Sequence, residues 1–194
     1  SGTYVGVGAE WLHSDGRRTI GVLTNSLPVP VPDSPSGLRQ TVDFRERNLS
    51  VYVAQLIGDG WTLGGRYRVG ESTLDTRLPG VPDTAAGLAS IEQRERAVLQ
   101  QATLSLDYQH PAGFFGRWES GWWHQGNSGY TPGRATEDVW QHDLWLGWRL
   151  PRRQAEVRVG LLNLFDSDYR LNPLSAYQAL PRSRMAVVSV RLNF

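Results

Sequence analysis

The feature that most constrains this chain is a two-residue alternation of apolar and polar side chains along most of its length. It is clearest in Trp61–Gly70, where Trp61, Leu63, Gly65, Tyr67 and Val69 alternate with Thr62, Gly64, Arg66, Arg68 and Gly70. A period of two places one set on each face of a strand, and helical stripes hardly occur. The alternation predicts nine strands. Eight span about Thr3–Leu12, Arg17–Thr24, Arg47–Ile57, Trp61–Gly70, Ala97–Gln109, Phe114–Gln125, Val139–Leu150 and Ala155–Leu164, and the closing stretch is Val187–Phe194.

The predicted connections also alternate. Short turns follow the first, third, fifth and seventh strands: "HSDGR", "GDG", "HPAG" and "PRRQ". Long polar loops follow the others, at about Asn25–Thr41, Ser72–Arg94, Gly126–Asp138 and Asp166–Ser183. A soluble sandwich has no physical reason to sort its loops in this way. An outer-membrane barrel does, with short periplasmic turns and long outward loops. The expected fold is therefore all-β: a single domain over residues 1–194, built as an antiparallel up-and-down transmembrane β-barrel. A soluble sandwich or barrel remains the alternative, because the pattern does not say which face is wet.

Composition fits the membrane reading. Mean hydropathy is −0.39, and no run of roughly 18 apolar residues is present, so no helix is expected to cross a bilayer. A barrel strand is apolar only at alternate positions, so its mean hydropathy is low. Eight tryptophans and seven tyrosines are many for this length, and both residue types favour membrane–water interfaces. Trp11, Trp61, Tyr108, Phe114, Trp148 and Phe194 fall at predicted short-turn ends or the terminus, as one aromatic girdle requires. Tyr67, Trp122, Trp123 and Trp140 fall nearer the long loops and are candidates for the opposite girdle. The opposite phase holds Arg66, Arg68, Arg117, Glu119, Asp143, Arg149, Glu156, Arg158 and Arg191, candidates to line a wet lumen.

The net charge of +1 gives no general attraction to nucleic acid. The absence of cysteine excludes disulfides, thiolate metal sites and thiol nucleophiles. His124 and His142 flank one long loop, but two histidines without a third ligand are a weak metal signal. No nucleophile elbow, phosphate loop or paired-carboxylate motif is present. Neither enzymatic activity nor a cofactor is expected. "VPDSPSGL" and "VPDTAAGL" repeat in the first two long loops. Pro32, Asp33, Pro82 and Asp83 within them are turn and cap chemistry, or alternatively shape a ligand entrance.

The C-terminal stretch "VGLLNLFDSDYRLNP…LPRSRMAVVSVRLNF" resembles the end of TonB-dependent outer-membrane receptors, through Asn163, Leu164, Phe165, Asp166 and Tyr169 and the terminal Phe194. It is also similar to C-terminal barrels of repeat-containing outer-membrane proteins. The resemblance covers roughly the last 40 residues. It implies location in the cell outer membrane and contact with its lipid. It also implies that Val188, Val190, Leu192 and Phe194 form a signal read by the barrel-assembly machinery. Neither a plug domain nor a TonB box is found, so energised uptake is not implied.

Nine strands is an odd count, whereas single-chain bacterial barrels have even numbers. The count predicts that the chain is the C-terminal part of a larger barrel, partnered by the rest of that barrel or by another membrane chain; the rival is a small closed barrel of eight or ten strands, miscounted as nine. Two functions follow: a receptor- or porin-type barrel passing or gating a solute, or a non-catalytic anchor or assembly partner in a larger outer-membrane complex.

Overall fold

The computed structural model describes residues 2–21, 37–79, 92–150, 154–177 and 180–192. They form eight strands: β1 (Thr3–Gly21), β2 (Gly37–Ile57), β3 (Trp61–Arg77), β4 (Glu92–Gln109), β5 (Phe114–Ser128), β6 (Glu137–Arg149), β7 (Ala155–Leu162) and β8 (Met185–Leu192). All lie in one sheet in sequence order, and every neighbouring pair is antiparallel. The all-β, up-and-down expectation holds.

The count of nine does not. "HSDGR" is not a turn: Ser14, Asp15, Gly16 and Arg17 lie opposite Phe44, Asp43, Val42 and Thr41, so β1 runs unbroken past them. The Asp-Gly turn preference yields to the long partner strand β2. His13 Nε2 lies 3.1 Å from Asp43 Oδ2, and Arg45 Nε lies 2.8 Å from Asp43 Oδ1. Eight is an even number, so the parity argument for a further strand no longer applies. Long connections now follow β1, β3, β5 and β7, and short ones follow β2, β4 and β6. Gly58 (φ 59°) and Gly113 (φ 96°) supply the left-handed backbone in two of the short turns.

The register carries the apolar residues of all eight strands onto one face. One row runs Ile57, Trp61, Tyr108, Gly116, Leu146, Val159, Val188. Another runs Val7, Val51, Tyr67, Ala102, Trp122, Trp140. No second layer covers this face among the described residues: Val7 is 70% exposed, Leu104 44%, Leu146 58% and Val188 69%. A row starting at Thr3, the first residue of β1, ends at Ala186, six residues before the end of β8 at Leu192. Such climbing stagger accompanies strand tilt in barrels.

Towards the long connections the same face turns from apolar to charged. Trp11 gives way to His13, Asp15 and Arg17, and Val69 to Glu71, Thr73, Asp75 and Arg77. Here β1–β4 are longer than the roughly 9–11 residues of a barrel strand's membrane crossing: β1 takes in the expected turn and part of the expected second strand, and β2, β3 and β4 reach into segments expected to be loop. Cross-strand ion pairs join the extensions: Arg96–Glu71 at 2.9 Å, Arg94–Asp75 at 3.5 Å and Arg77–Glu92 at 3.6 Å. In the β3 and β4 extensions nearly every position on both faces is polar, so hydrophobic periodicity does not reveal them; the β2 extension keeps an apolar phase in Val42 and Phe44.

The other face is polar and rich in glycine. Phe115 lies over Gly147 and Trp145 over Gly160, each on the neighbouring strand. A glycine has no Cβ to hold the aromatic ring away, so large rings lie flat on this face. The only hydrophobic cluster of fully buried residues among those described is Leu99, Trp123, Val139, Tyr169 and Leu171, with Tyr177 and Leu180 packed against it. It sits on this polar face, where the Asn163–Arg184 connection folds back over β4–β6.

Candidate functional site

The site is a strap and the cavity beneath it. The strap begins at Asn163, which ends β7 with left-handed backbone (φ 51°) and no exposed surface. Asparagine tolerates this conformation because its short amide bonds locally. Its Nδ2 donates to Ser167 O (2.9 Å) and Pro181 O (3.1 Å), and its Oδ1 accepts from Ser167 N (2.8 Å). Its own N–H donates to Asp143 Oδ1 at 2.8 Å. Asp166, also left-handed (φ 58°), accepts the N–H of Arg184 at 2.6 Å. The "NLFD" stretch is thus a corner that turns the chain inward over the polar face. Phe165 stays outside, 72% exposed, its ring edge-on to His142 at 5.1 Å.

Beyond the corner, the strap is fastened to the sheet by paired polar groups. Gln125 Nε2 donates to Asn172 O (3.1 Å) while Gln125 Oε1 accepts the Asn172 N–H. Gln141 Nε2 donates to Pro181 O at 3.2 Å, and Tyr169 Oη donates to Leu180 O at 2.9 Å. Gln125 and Asn172 are buried together, where an unpaired amide would cost about 1–3 kcal/mol. Of these residues the sequence points only to Tyr169, through the resemblance, and to none of Gln125, Gln141, Asn172, Leu180 and Pro181. The available signal was Leu99, Trp123 and Val139, apolar residues in the polar phase near the long connections. Trp123, expected in an outer girdle, is corrected: it faces opposite to Trp122 and packs in the strap core.

Below the strap lies a cavity of about 620 Å³. Its walls run from Gln109, Phe115 and Arg149 near the short turns to Trp123, Leu180 and Pro181 under the strap. Seven of the predicted polar residues line it: Arg66, Arg117, Glu119, Asp143, Arg149, Glu156 and Arg158. Arg117 pairs with Glu119 (2.6 Å) and Asp107 (3.8 Å). Arg149 pairs with Glu156 (2.8 Å) and lies over the Phe115 ring, 4.6 Å from its centroid. Arg158 lies over Trp145 at 4.8 Å. Arg68 does not line the cavity; it reaches Ala176 O (3.4 Å), with Glu10 and Glu46 each 3.9 Å away. Arg191 stands opposite Glu156 on β8.

The aromatics on the outer face sort into two groups. At the short turns, Trp61 meets Tyr108 at 4.5 Å and Phe114 stacks on Trp148 at 5.7 Å. Trp11 is not among them. With "HSDGR" extended, Trp11 lies mid-strand on the row Arg47, Glu71, Val98, where the apolar face becomes charged. Trp122 and Trp140 meet at 6.3 Å towards the long connections. His124 and His142 do not meet: His124 Nδ1 is 3.1 Å from Asp138 Oδ2, while His142 stacks on Trp118 and Trp140. Val188, Val190 and Leu192 are exposed on β8. Phe194, Pro32, Asp33, Pro82 and Asp83 lie outside the described residues.

In the charged extension, the guanidinium of Arg45 and then the ring of His13 hold the Asp43 carboxyl below its ordinary range. No protein-family model, curated protein or solved structure matches the chain.

Proposed function

We propose that this chain is an outer-membrane β-barrel of receptor type, which binds and gates a small solute in the cavity under its strap. The observation that carries this reading is the continuous exposed apolar face across eight strands, opposite a polar face with a charged cavity. Left in water, an apolar surface of this extent would be an aggregation hazard; against lipid it is stable. The two edges are compatible with closure. The apolar stretch of β1, Thr3–Trp11, and β8, Met185–Leu192, are of similar length and antiparallel in direction. Their unpaired amides would each cost several kcal/mol in hydrocarbon, so they meet each other or strands of a partner chain. Eight strands enclose room for side chains or one small ligand, not an open channel. That favours a gated binding site over a general pore.

The second reading, a passive anchor or assembly partner, draws on the same strap, whose buried hydrogen bonds hold it across the polar face. Reconstitution into vesicles separates the two. The receptor reading expects boiling-dependent gel migration in detergent, and solute flux that rises when the strap is loosened by Leu171→Ala. Migration without flux in either protein supports the anchor. Purification as a monomer without detergent contradicts both.

A further inference from the structure

The cavity's carboxylates are occupied. Glu119 and Asp107 face Arg117, Glu156 faces Arg149, and Asp143 accepts the Asn163 N–H. Its cations are not all matched. Among the described residues, neither Arg66 nor Arg158 has a carboxylate within salt-bridge distance, and both line the cavity. Both are exposed to it. Arg158 lies with its guanidinium over the Trp145 ring. This contact uses the face of the group and leaves its edge donors available for a planar acceptor. With the barrel closed, as the proposed function has it, an unmatched guanidinium in the cavity attracts an anion more strongly than it would in bulk water. The volume, about 620 Å³, lies within the range of small-ligand sites.

We propose that the cavity binds a small organic anion through its carboxylate or phosphate group, held by Arg66 and Arg158. This rests on the reading of the polar face as an enclosed solute site, and it names the class of solute. The three carboxylates taken by arginines repel a second anion less than free ones would; Asp143, the one lining carboxylate without a cationic partner, is capped by the Asn163 N–H.

The test is calorimetric titration of the full chain in detergent micelles with phenyl phosphate, benzoate, benzylamine and benzyl alcohol. Saturable binding of phenyl phosphate or benzoate is expected, weakening as salt rises. Arg66→Gln and Arg158→Gln should each weaken it about tenfold or more, as loss of a charge-assisted hydrogen bond requires. Arg94→Gln, on the outer charged extension, should leave it unchanged, and boiling-dependent migration verifies folding of each variant. Anion binding that persists in a chain unable to enter vesicles overturns the receptor reading and leaves this one standing. Equal or tighter binding of benzylamine, indifference to both arginine variants, or no binding of either anion overturns this proposal.

Discussion

Replacing Asn163 tests how the strap is held. The wild-type side chain makes three hydrogen bonds from a fully buried, left-handed position. Asn163→Ala removes all three, at about 0.5–1.5 kcal/mol each, and loses the local side-chain bonding that lets asparagine adopt left-handed backbone, a conformation that costs alanine about 1–2 kcal/mol. The sum is about 2.5–6.5 kcal/mol, applied to the strap rather than to the whole sheet. Asn163→Gly loses the same bonds but not the conformational fit, so it should be about 1 kcal/mol milder. Arg170, Arg182 and Arg184 are exposed on the strap, so trypsin cleavage reports its opening. At about 1.4 kcal/mol per factor of ten, Asn163→Ala should be cut about a hundredfold or more faster than wild type, in the regime where cleavage follows the open population. Asn163→Gly should fall about fivefold below Asn163→Ala. Equal rates for Asn163→Ala and wild type would refute the account of the corner. A glycine variant worse than alanine would refute the part assigned to the left-handed backbone.

Gly147→Ala would place a Cβ 2.8 Å from Val157 O and within the Phe115 ring. A loss of about 1–3 kcal/mol is expected in denaturant unfolding from micelles, and an unchanged midpoint would contradict the glycine–aromatic packing. In the charged extension, the folded-state pKa of Asp43 is depressed by Arg45 and His13. Its contribution is therefore present above its unfolded value, about 3.9, and is lost as pH falls through the lower folded value. The protection of β1 amides near Asp15 against hydrogen exchange, relative to the intrinsic rate at each pH, should fall over that acid window in the wild type. In Asp43→Asn it should be lower at neutral pH and lack the transition.

The alternation is legible because successive side chains of a strand point to opposite faces, and here one face is apolar and the other polar. That single constraint gave the class of fold, the antiparallel order and the polar residues that line the cavity. What failed has a common cause. "HSDGR" carries an Asp-Gly turn signal, but the Asp43 ion pairs and a long partner strand hold it extended; neither is local information. The extensions of β3 and β4 are polar at nearly every position, which is silent to hydrophobic periodicity. The strap is not visible in the sequence because Leu99, Trp123 and Val139, which Tyr169 and Leu171 pack against, are distant from it along the chain. The "NLFD" stretch was noticed as a resemblance; its physical content, a corner built on left-handed Asn163 and Asp166, emerged only with the hydrogen bonds.

The central claim concerns the medium that touches each face, and single cysteines address it directly because the chain has none of its own. A fluorophore would be attached at Leu104→Cys, Val159→Cys and Val190→Cys on the apolar face, and at Thr103→Cys and Ser189→Cys on the other, with the protein in vesicles. Lipids brominated on their acyl chains should quench the first three and spare the last two. Quenching of Leu104→Cys and Val159→Cys by aqueous iodide, with no effect of the brominated lipid, would contradict the account.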